Sequence, residues 1–420
     1  MKVGKEKGDD RRKVGREKRC FLDRRWLIFQ NRCVTHFYRI LLFCSLMIEL
    51  NIENKNSNHM EQTLNKPKTI DEVLAKRPLI ISGPCSAETE EQMIQTATLL
   101  AETGRVDMLR AGIWKPRTRP GSFEGIGVKG LPWLLQAKKI TGLPTAVEVA
   151  TAKQVEAALS FDVDLLWLGA RTTVNPFSVQ EVADALRGAT VPVFIKNPIN
   201  PDIELWLGAV ERVAKAGIKK IGIIHRGFSS YGNTEYRNAP MWHLAIEMKR
   251  RFPELMIIND PSHICGNRTM LQSVAQKAID LDFDGLMIES HIDPDNAWSD
   301  AKQQVTPAKL VELLDSIKWR HETTDVKEFV VALEKLREQI NHIDDELMQL
   351  LGQRMKIAEK IGEYKKNNSI TILQTNRWNE ILDRAFQKGE NLGLGKEFIT
   401  RYYDAVHMES INHQNKIMNS

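Results

Sequence analysis

From Leu79 onward, short apolar runs rich in β-branched residues alternate with stretches whose apolar positions recur every three to four residues. Eight runs occur in order: LIIS, VDMLRAG, PTAVEV, DLLWLGA, VPVFIK, KKIGIIHRG, LMIIND and FDGLMIES. They are near-continuously apolar, as expected for parallel strands covered on both faces. The stretches between them, among them 88–102, 151–159 and 202–216, read as amphipathic helices, several opened by Thr, Ser or Asp in cap position. Eight strand-helix repeats within about 250 residues predict an α/β fold of the TIM (β/α)8 barrel type.

After Ile317 the texture changes. A polar joint, KWRHETTD at 318–325, leads into a long amphipathic pattern without proline, then into two shorter helical stretches near 374–389 and 396–416. A barrel over 60–317 followed by an all-α domain over 326–420 is the expected organisation.

Charge and cysteine usage alter this picture only at the N-terminus. The chain of 420 residues carries a formal +5, but residues 1–59 hold 14 Lys and Arg against 7 Asp and Glu, a local +7 that leaves −2 for the rest. The folded body is therefore expected to lack a nucleic-acid footprint. Cys20, Cys33 and Cys44 lie in the leader, so Cys85 and Cys265 remain, which is no disulfide framework and fits the reducing cytoplasm. The leader's apolar run ILLFCSLMIEL is too short to span a bilayer, lies far from Met1 and precedes no small-residue cleavage site. Residues 1–59 are expected to be a disordered leader or a misassigned start, with no membrane role.

In a barrel of this kind chemistry sits at the C-terminal ends of the strands. Cys85 follows the first run; Arg110, Lys115 and Arg117 follow the second; then come Glu148, Arg171, Lys196 and Arg226. Asp260 and His263 follow the seventh run, and Glu289 and Asp300 the eighth. Cys85, His263, Glu289 and Asp300 supply sulfur, nitrogen and two carboxylates, a ligand set for a borderline divalent metal. Each alone has a plainer use, as packing, helix cap or solvated acid; four at strand ends favour the metal. Six cations converging on one cavity (Arg110, Lys115, Arg117, Arg171, Lys196 and Arg226) would repel one another unless anions fill it, and phosphate and carboxylate substrates are the natural guests.

The motifs GPCS, LRAGIWKPRT, GAR, FIKN, HRG, NDPSH and MIESH…SDAKQQ, spread over 68–317, resemble those of 3-deoxy-D-arabino-heptulosonate 7-phosphate (DAHP) synthases of the compact single-barrel subtype. The resemblance implies condensation of phosphoenolpyruvate with erythrose 4-phosphate, release of phosphate, and a divalent metal (manganese, iron, cobalt or zinc). It makes Cys85, His263, Glu289 and Asp300 the metal ligands. Arg171, Lys196 and Arg226, with Arg110 and Lys115, become the phosphoenolpyruvate clamp, and Arg117 and Thr118 of KPRT hold the phosphate of erythrose 4-phosphate. Lys115 is the candidate proton donor to the developing alkoxide, and Glu148 or Asp260 a candidate for positioning water. The sister synthase that uses arabinose 5-phosphate shares barrel and clamp, but usually carries a KANR-type segment where this chain reads KPRT.

In the helical tail, Arg354 and Lys365 are 11 residues apart and so about 20° from alignment on a helix, whereas Arg337 lies about 100° from Arg354. Arg337 therefore points elsewhere, as it would to reach a partner's cavity in a dimer. Ser410 and Gln414 lie one turn apart. The stretch from LREQINHIDDEL to ESINHQ resembles the all-helical chorismate mutases, which dimerise through intertwined long helices. The resemblance gives roles to Arg337, Arg354, Lys365, Arg377, Ser410 and Gln414 in rearranging chorismate to prephenate, a pericyclic step that needs placed cations and a donor to the ether oxygen. Two positions depart from the family: Gln374 and Trp378 stand where an aspartate and a glutamate are usual, and that glutamate contacts the substrate hydroxyl. Two other expectations follow, a tail that only dimerises the chain and a tail that senses prephenate and restrains the barrel.

Overall fold

The computed structural model describes residues 69–117, 121–232, 235–320 and 323–419, so the expectations for the leader and for Thr118 lie outside the described residues. The described residues fall into two compact units, divided after Arg320.

In the first unit eight strands close into a parallel barrel in chain order: β1 (Leu79–Gly83), β2 (Met108–Ala111), β3 (Thr145–Val149), β4 (Leu165–Leu168), β5 (Val193–Lys196), β6 (Ile221–His225), β7 (Met256–Asn259) and β8 (Gly285–Glu289). β1 pairs with both β2 and β8, which completes the ring. Helices follow each strand: α1 (Ile70–Leu74) precedes β1, and α2 (Glu90–Glu102), α3 (Gly130–Thr141), α4 (Ala152–Ser160), α5 (Ala170–Thr173), α6 (Pro176–Ala185) and α7 (Ile203–Lys215) lie between β1 and β6. Then come α8 (Trp242–Arg251), α9 (Pro261–Cys265), α10 (Leu271–Asp280) and α11 (Pro307–Ser316). Thr89, Thr151, Asn175, Asp202 and Thr306 cap α2, α4, α6, α7 and α11 by accepting from backbone N–H groups, so the polar residues at the ends of the apolar runs do start helices.

The near-continuous hydrophobicity of the strands divides by period two into separate cores. Leu79, Ile81, Met108, Ala146, Leu165, Trp167, Phe194, Ile224, Ile258 and Met287 point inward and fill the barrel. Their neighbours, such as Ile80, Leu109, Val147, Leu166 and Ile195, point outward into the helical shell. Fully burying one such Leu or Ile stabilises the fold by about 1.5–3 kcal/mol. The interior row explains where the chemistry lies. Arg110, Glu148, Lys196, Arg226, Asp260 and Glu289 each stand two residues beyond an inward apolar residue (Met108, Ala146, Phe194, Ile224, Ile258 and Met287), so they form the next layer up.

The second unit holds α12 (Lys327–Asn367), α13 (Thr375–Asn391) and α14 (Lys396–Asn419). α12 packs on α14, and Gly362 lets them approach: a Cβ there would lie 3.1 Å from Gln414 Cα. Few apolar side chains are buried, chiefly Met355, Ala358, Ala385, Ile399 and Val406, while a long face of α12 including Leu336, Ile340, Ile343 and Leu347 is exposed.

Candidate active sites

At the barrel mouth Cys85, Arg110, Lys115, Arg117, Glu148, Arg171, Lys196, Arg226, His263 and Asp300 line a single cavity of about 270 Å³. Asp260 and Glu289 are wholly buried and reach the same cluster through ion pairs with Lys196 and Arg110. All the residues expected at the strand ends and described in the structure are thus brought together. Close backbone approach makes room for them: a Cβ on Gly112 would lie 2.1 Å from the Cys85 carbonyl oxygen, and one on Gly169 2.1 Å from Glu148 Oε1.

Beneath the cavity, in the barrel interior, lies Trp167, buried completely, with the Arg110 guanidinium 5.2 Å and the Lys196 ammonium 5.7 Å from its ring centroid. Its Nε1–H donates to Glu148 Oε2 at 3.0 Å. Along the chain Trp167 is one more apolar residue of the fourth run; its inward place, two residues past the inward Leu165 and directly beneath the charged layer, is the signal that marks it. Arg237 was also missed, because it comes from the long connection after β6 rather than from a strand end. It lines the cavity and donates to Asp300 Oδ1 at 2.9 Å and to Gln303 Oε1 at 2.7 Å.

Charge within the cluster is unbalanced. Arg110 Nη1 pairs with Glu289 Oε1 at 2.9 Å, and Lys196 Nζ with Asp260 Oδ2 at 2.9 Å. Among the described residues, seven cations, the six expected and Arg237, nevertheless stand with the carboxylates Glu148, Asp260, Glu289 and Asp300. Burial pushes the Arg226 guanidinium down to about 10, and the nearby Arg237 and Arg171 add to the effect against the pull of Asp260. An anion entering beside these buried cations would offset their mutual repulsion.

The four candidate ligands stand as two pairs. Cys85 Sγ lies 3.3 Å from Asp300 Oδ2, and His263 Nε2 lies 3.9 Å from Glu289 Oε1. Among the described residues no three His, Cys, Asp or Glu side chains close to metal-bonding geometry. The donor set still fits a metal. Lys115 Nζ is 2.6 Å from Cys85 Sγ, a cation against the sulfur where an ion would otherwise draw the thiolate. Burial, with Glu289 and Asp300, pushes the Cys85 thiol up to about 12 against the pull of Lys115 and Arg110. For both acids burial acts upward, but His263, Arg110 and Lys115 hold Glu289, and Arg237, Lys115 and His263 hold Asp300, below the usual carboxylate range. Burial also lowers the His263 imidazole, against the pull of Asp260 and Glu289. Its Nδ1 lies 2.8 Å from Asp260 Oδ2, although off the line of a hydrogen bond, which leaves Nε2 facing Glu289. Asp300 itself has a left-handed backbone (φ 50°), a conformation Asp tolerates and one common at functional turns.

In the helical unit α12 carries Arg354 and Lys365 on one face. Arg354 Nη1 donates to Ser410 Oγ on α14, and Lys365 Nζ donates to the Ile372 carbonyl at 2.6 Å. Gln414 is buried beside Ser410, with its Oε1 lacking a hydrogen-bond partner. Two expected residues are not brought to this cluster within the chain. Arg337 is exposed and lies 3.6 Å from Glu334, and Arg377 is exposed and pairs with Glu380 at 2.8 Å. The orientation of Arg337 away from Arg354 agrees with the helical spacing.

Barrel, charged rim and helical appendage together define an enzyme that handles small anionic substrates. Residues 50–327 match the DAHP synthetase I family, and residues 336–415 match chorismate mutase type II. A phospho-2-dehydro-3-deoxyheptonate aldolase of Thermotoga maritima is 32% identical over 248 residues, which span 59% of this chain and 71% of that protein. A crystal structure of the phospho-2-dehydro-3-deoxyheptonate aldolase (DAHP synthase) of Thermotoga maritima superimposes with a TM-score of 0.50 at 30% identity, covering 56% of this chain and 67% of that one. A 2-dehydro-3-deoxyphosphooctonate aldolase of Nitratidesulfovibrio vulgaris is 27% identical over 280 residues, 60% of this chain and 94% of that protein. The chain belongs to the DAHP synthetase I family and carries a C-terminal chorismate mutase domain. It is a bifunctional enzyme of the shikimate pathway. Among the described residues no helix is long and apolar enough to cross a membrane.

Proposed function

We propose that the barrel condenses phosphoenolpyruvate with erythrose 4-phosphate in a metal-dependent reaction, and that the helical unit rearranges chorismate to prephenate. The excess of cations over carboxylates in the barrel mouth carries the first reading. Two substrates that would repel each other need that excess before their carbons can approach. Arg171, Lys196, Arg226 and Arg110 hold the phosphate and carboxylate of phosphoenolpyruvate over the Trp167 ring. Arg117, with Thr118, holds the phosphate of erythrose 4-phosphate.

Cys85, His263, Glu289 and Asp300 would hold the divalent metal, which when bound supplies Lewis-acid polarisation of the aldehyde. C3 of phosphoenolpyruvate attacks the aldehyde carbon, and the aldehyde oxygen takes a proton from Lys115. Lys115 is suited to this because it already reaches both Cys85 Sγ and, at 2.9 Å, the Cys85 carbonyl. Water adds at the cationic C2, oriented by Glu148 or Asp260, with one proton passing to the protein; the new C2 hydroxyl then gives up its proton to the departing phosphate as the C2–O bond breaks, leaving the C2 ketone.

Turnover is measured with both sugar phosphates, before and after chelation. Erythrose 4-phosphate should be preferred, activity should vanish on chelation, and manganese, iron, cobalt or zinc should restore it. Preference for arabinose 5-phosphate would instead select the sister reaction, which the similarity to the phosphooctonate aldolase keeps in view.

The exposed apolar face of α12 supports a homodimer built from the helical units, with Arg337 serving the partner's cavity. Prephenate bound in that cavity is the proposed feedback signal to the barrel. Unchanged synthase turnover on adding prephenate to the full chain would remove the feedback.

A further inference from the structure

The mutase reading leaves one group of the substrate unmatched. Arg354 and Lys365 answer to the carboxylates, and the Gln414 amide to the ether oxygen, but the ring hydroxyl needs an acceptor. Neither Gln374 nor Trp378 brings a carboxylate to accept it. Trp378 on α13 instead stacks on His407 of α14, with ring centroids 4.1 Å apart and planes 23° from parallel.

His407 precedes Ser410 by three residues and Gln414 by seven, so the three share one face of α14. Its Nε2 is shielded from solvent and has no hydrogen-bond partner. Buried ring nitrogens are ordinarily satisfied, and one that is left open beside an anion-binding cluster has the form of a ligand contact. The stack fixes the plane of the ring without consuming that nitrogen.

From these observations we propose that His407, clamped by Trp378, contacts the ring hydroxyl of the mutase substrate and accepts its hydrogen bond at Nε2. The proposal rests on the mutase reading of the helical unit. A neutral imidazole accepts without adding a negative charge beside a dianion, which a carboxylate would do. The charged groups facing the ring are Arg354 and Lys365 on α12 and Asp404 on its own helix. On α13, Arg377 next to Trp378 is turned to Glu380. Burial, then Arg354, hold the ring below its ordinary pKa against Asp404, which favours the neutral ring; Nε2 then accepts in the tautomer that carries its proton on Nδ1.

The test uses the full chain with chorismate and with the analogue lacking the ring hydroxyl. His407→Phe keeps an aromatic face against Trp378 and removes the nitrogen. It should lower kcat/KM for chorismate about 10-fold to 100-fold, leave synthase turnover and helical signal unchanged, and abolish discrimination between the two substrates. His407→Gln, which restores an acceptor, should recover part of both. Discrimination by His407→Phe equal to that of the unaltered chain would overturn the proposal. If His407→Phe loses its helical signal, the unaltered chain decides: the ratio of kcat/KM for the two substrates should shift as acid protonates the ring, and a ratio independent of pH overturns the proposal. Absence of any chorismate turnover in the unaltered chain is a separate result, which removes the mutase reading and the proposal with it.

Discussion

The barrel and the helical unit treat their apolar residues in opposite ways. In the barrel Leu79, Ile81, Leu166 and Trp167 are fully buried, and the charged rim rests on that interior as its next layer. In the helical unit Leu336, Ile340 and Ile343 on α12 keep 56%, 57% and 55% of their surface exposed, and only scattered positions are buried. One unit completes its core within a single chain; the other leaves a face that water would not tolerate alone. The same contrast holds for the sites, since the barrel mouth gathers the six cations expected there while the helical unit leaves Arg337 and Arg377 outside its cluster. A unit with a closed core and a unit with an open apolar face should fail independently.

Cys85→Ala should give the largest effect, lowering synthase turnover by about 10⁴-fold through loss of metal while mutase turnover stays unchanged. Bound-metal analysis beside both assays checks this, and a fall in mutase turnover would break the separation of the two units. Lys115→Met should lower synthase kcat on the order of 10³-fold with metal still bound, since proton transfer is what is removed. Retained metal separates its role from that of Cys85.

Ile343→Glu on α12 should weaken the dimer by about 3 kcal/mol, roughly 10²-fold in dissociation constant, and lower mutase turnover with it. Sedimentation measures the assembly, and unchanged synthase turnover of the monomer would confirm that the barrel does not need the helical contact.

The smallest effect is a pH dependence confined to the barrel. His225 is held neutral, its Nε2 2.6 Å from the Pro240 carbonyl and its Nδ1 accepting from Asn259 Nδ2 at 3.1 Å, and burial pushes its pKa down to about 4. The unfolded chain takes up a proton near pH 6.5 and the folded one does not, so this contribution is complete above 6.5 and is lost as pH falls toward 4. Between pH 6.5 and 5 it should remove about 2 kcal/mol of barrel stability. Denaturant titrations should show a shallower slope over that window for His225→Gln, and equal slopes would refute the assignment.

The strands were legible because a parallel barrel buries both faces of each, which writes a continuous apolar run, and the rim because each run ends on the charge that follows it. LIIS, VPVFIK and LMIIND correspond directly to β1, β5 and β7. Trp167 was not legible as the residue beneath the cavity, since a tryptophan inside an apolar run carries no mark of what lies above it. Arg237 reaches the cavity from a loop whose path no periodicity describes. The pairing of Trp378 with His407 joins two helices, so neither residue announces the other along the chain.

Trp167 also sets how substrates arrive. Below its ring lies an apolar, tightly filled barrel that cannot answer charge, so the field of the cations above it is directed outward through the open mouth. Doubly anionic molecules are drawn in from solution before any contact forms, and their capture slows as ions fill the space beyond about 10 Å at 0.1 M salt. The apolar plug that makes the barrel durable is also the wall that gives its mouth a long electrostatic reach.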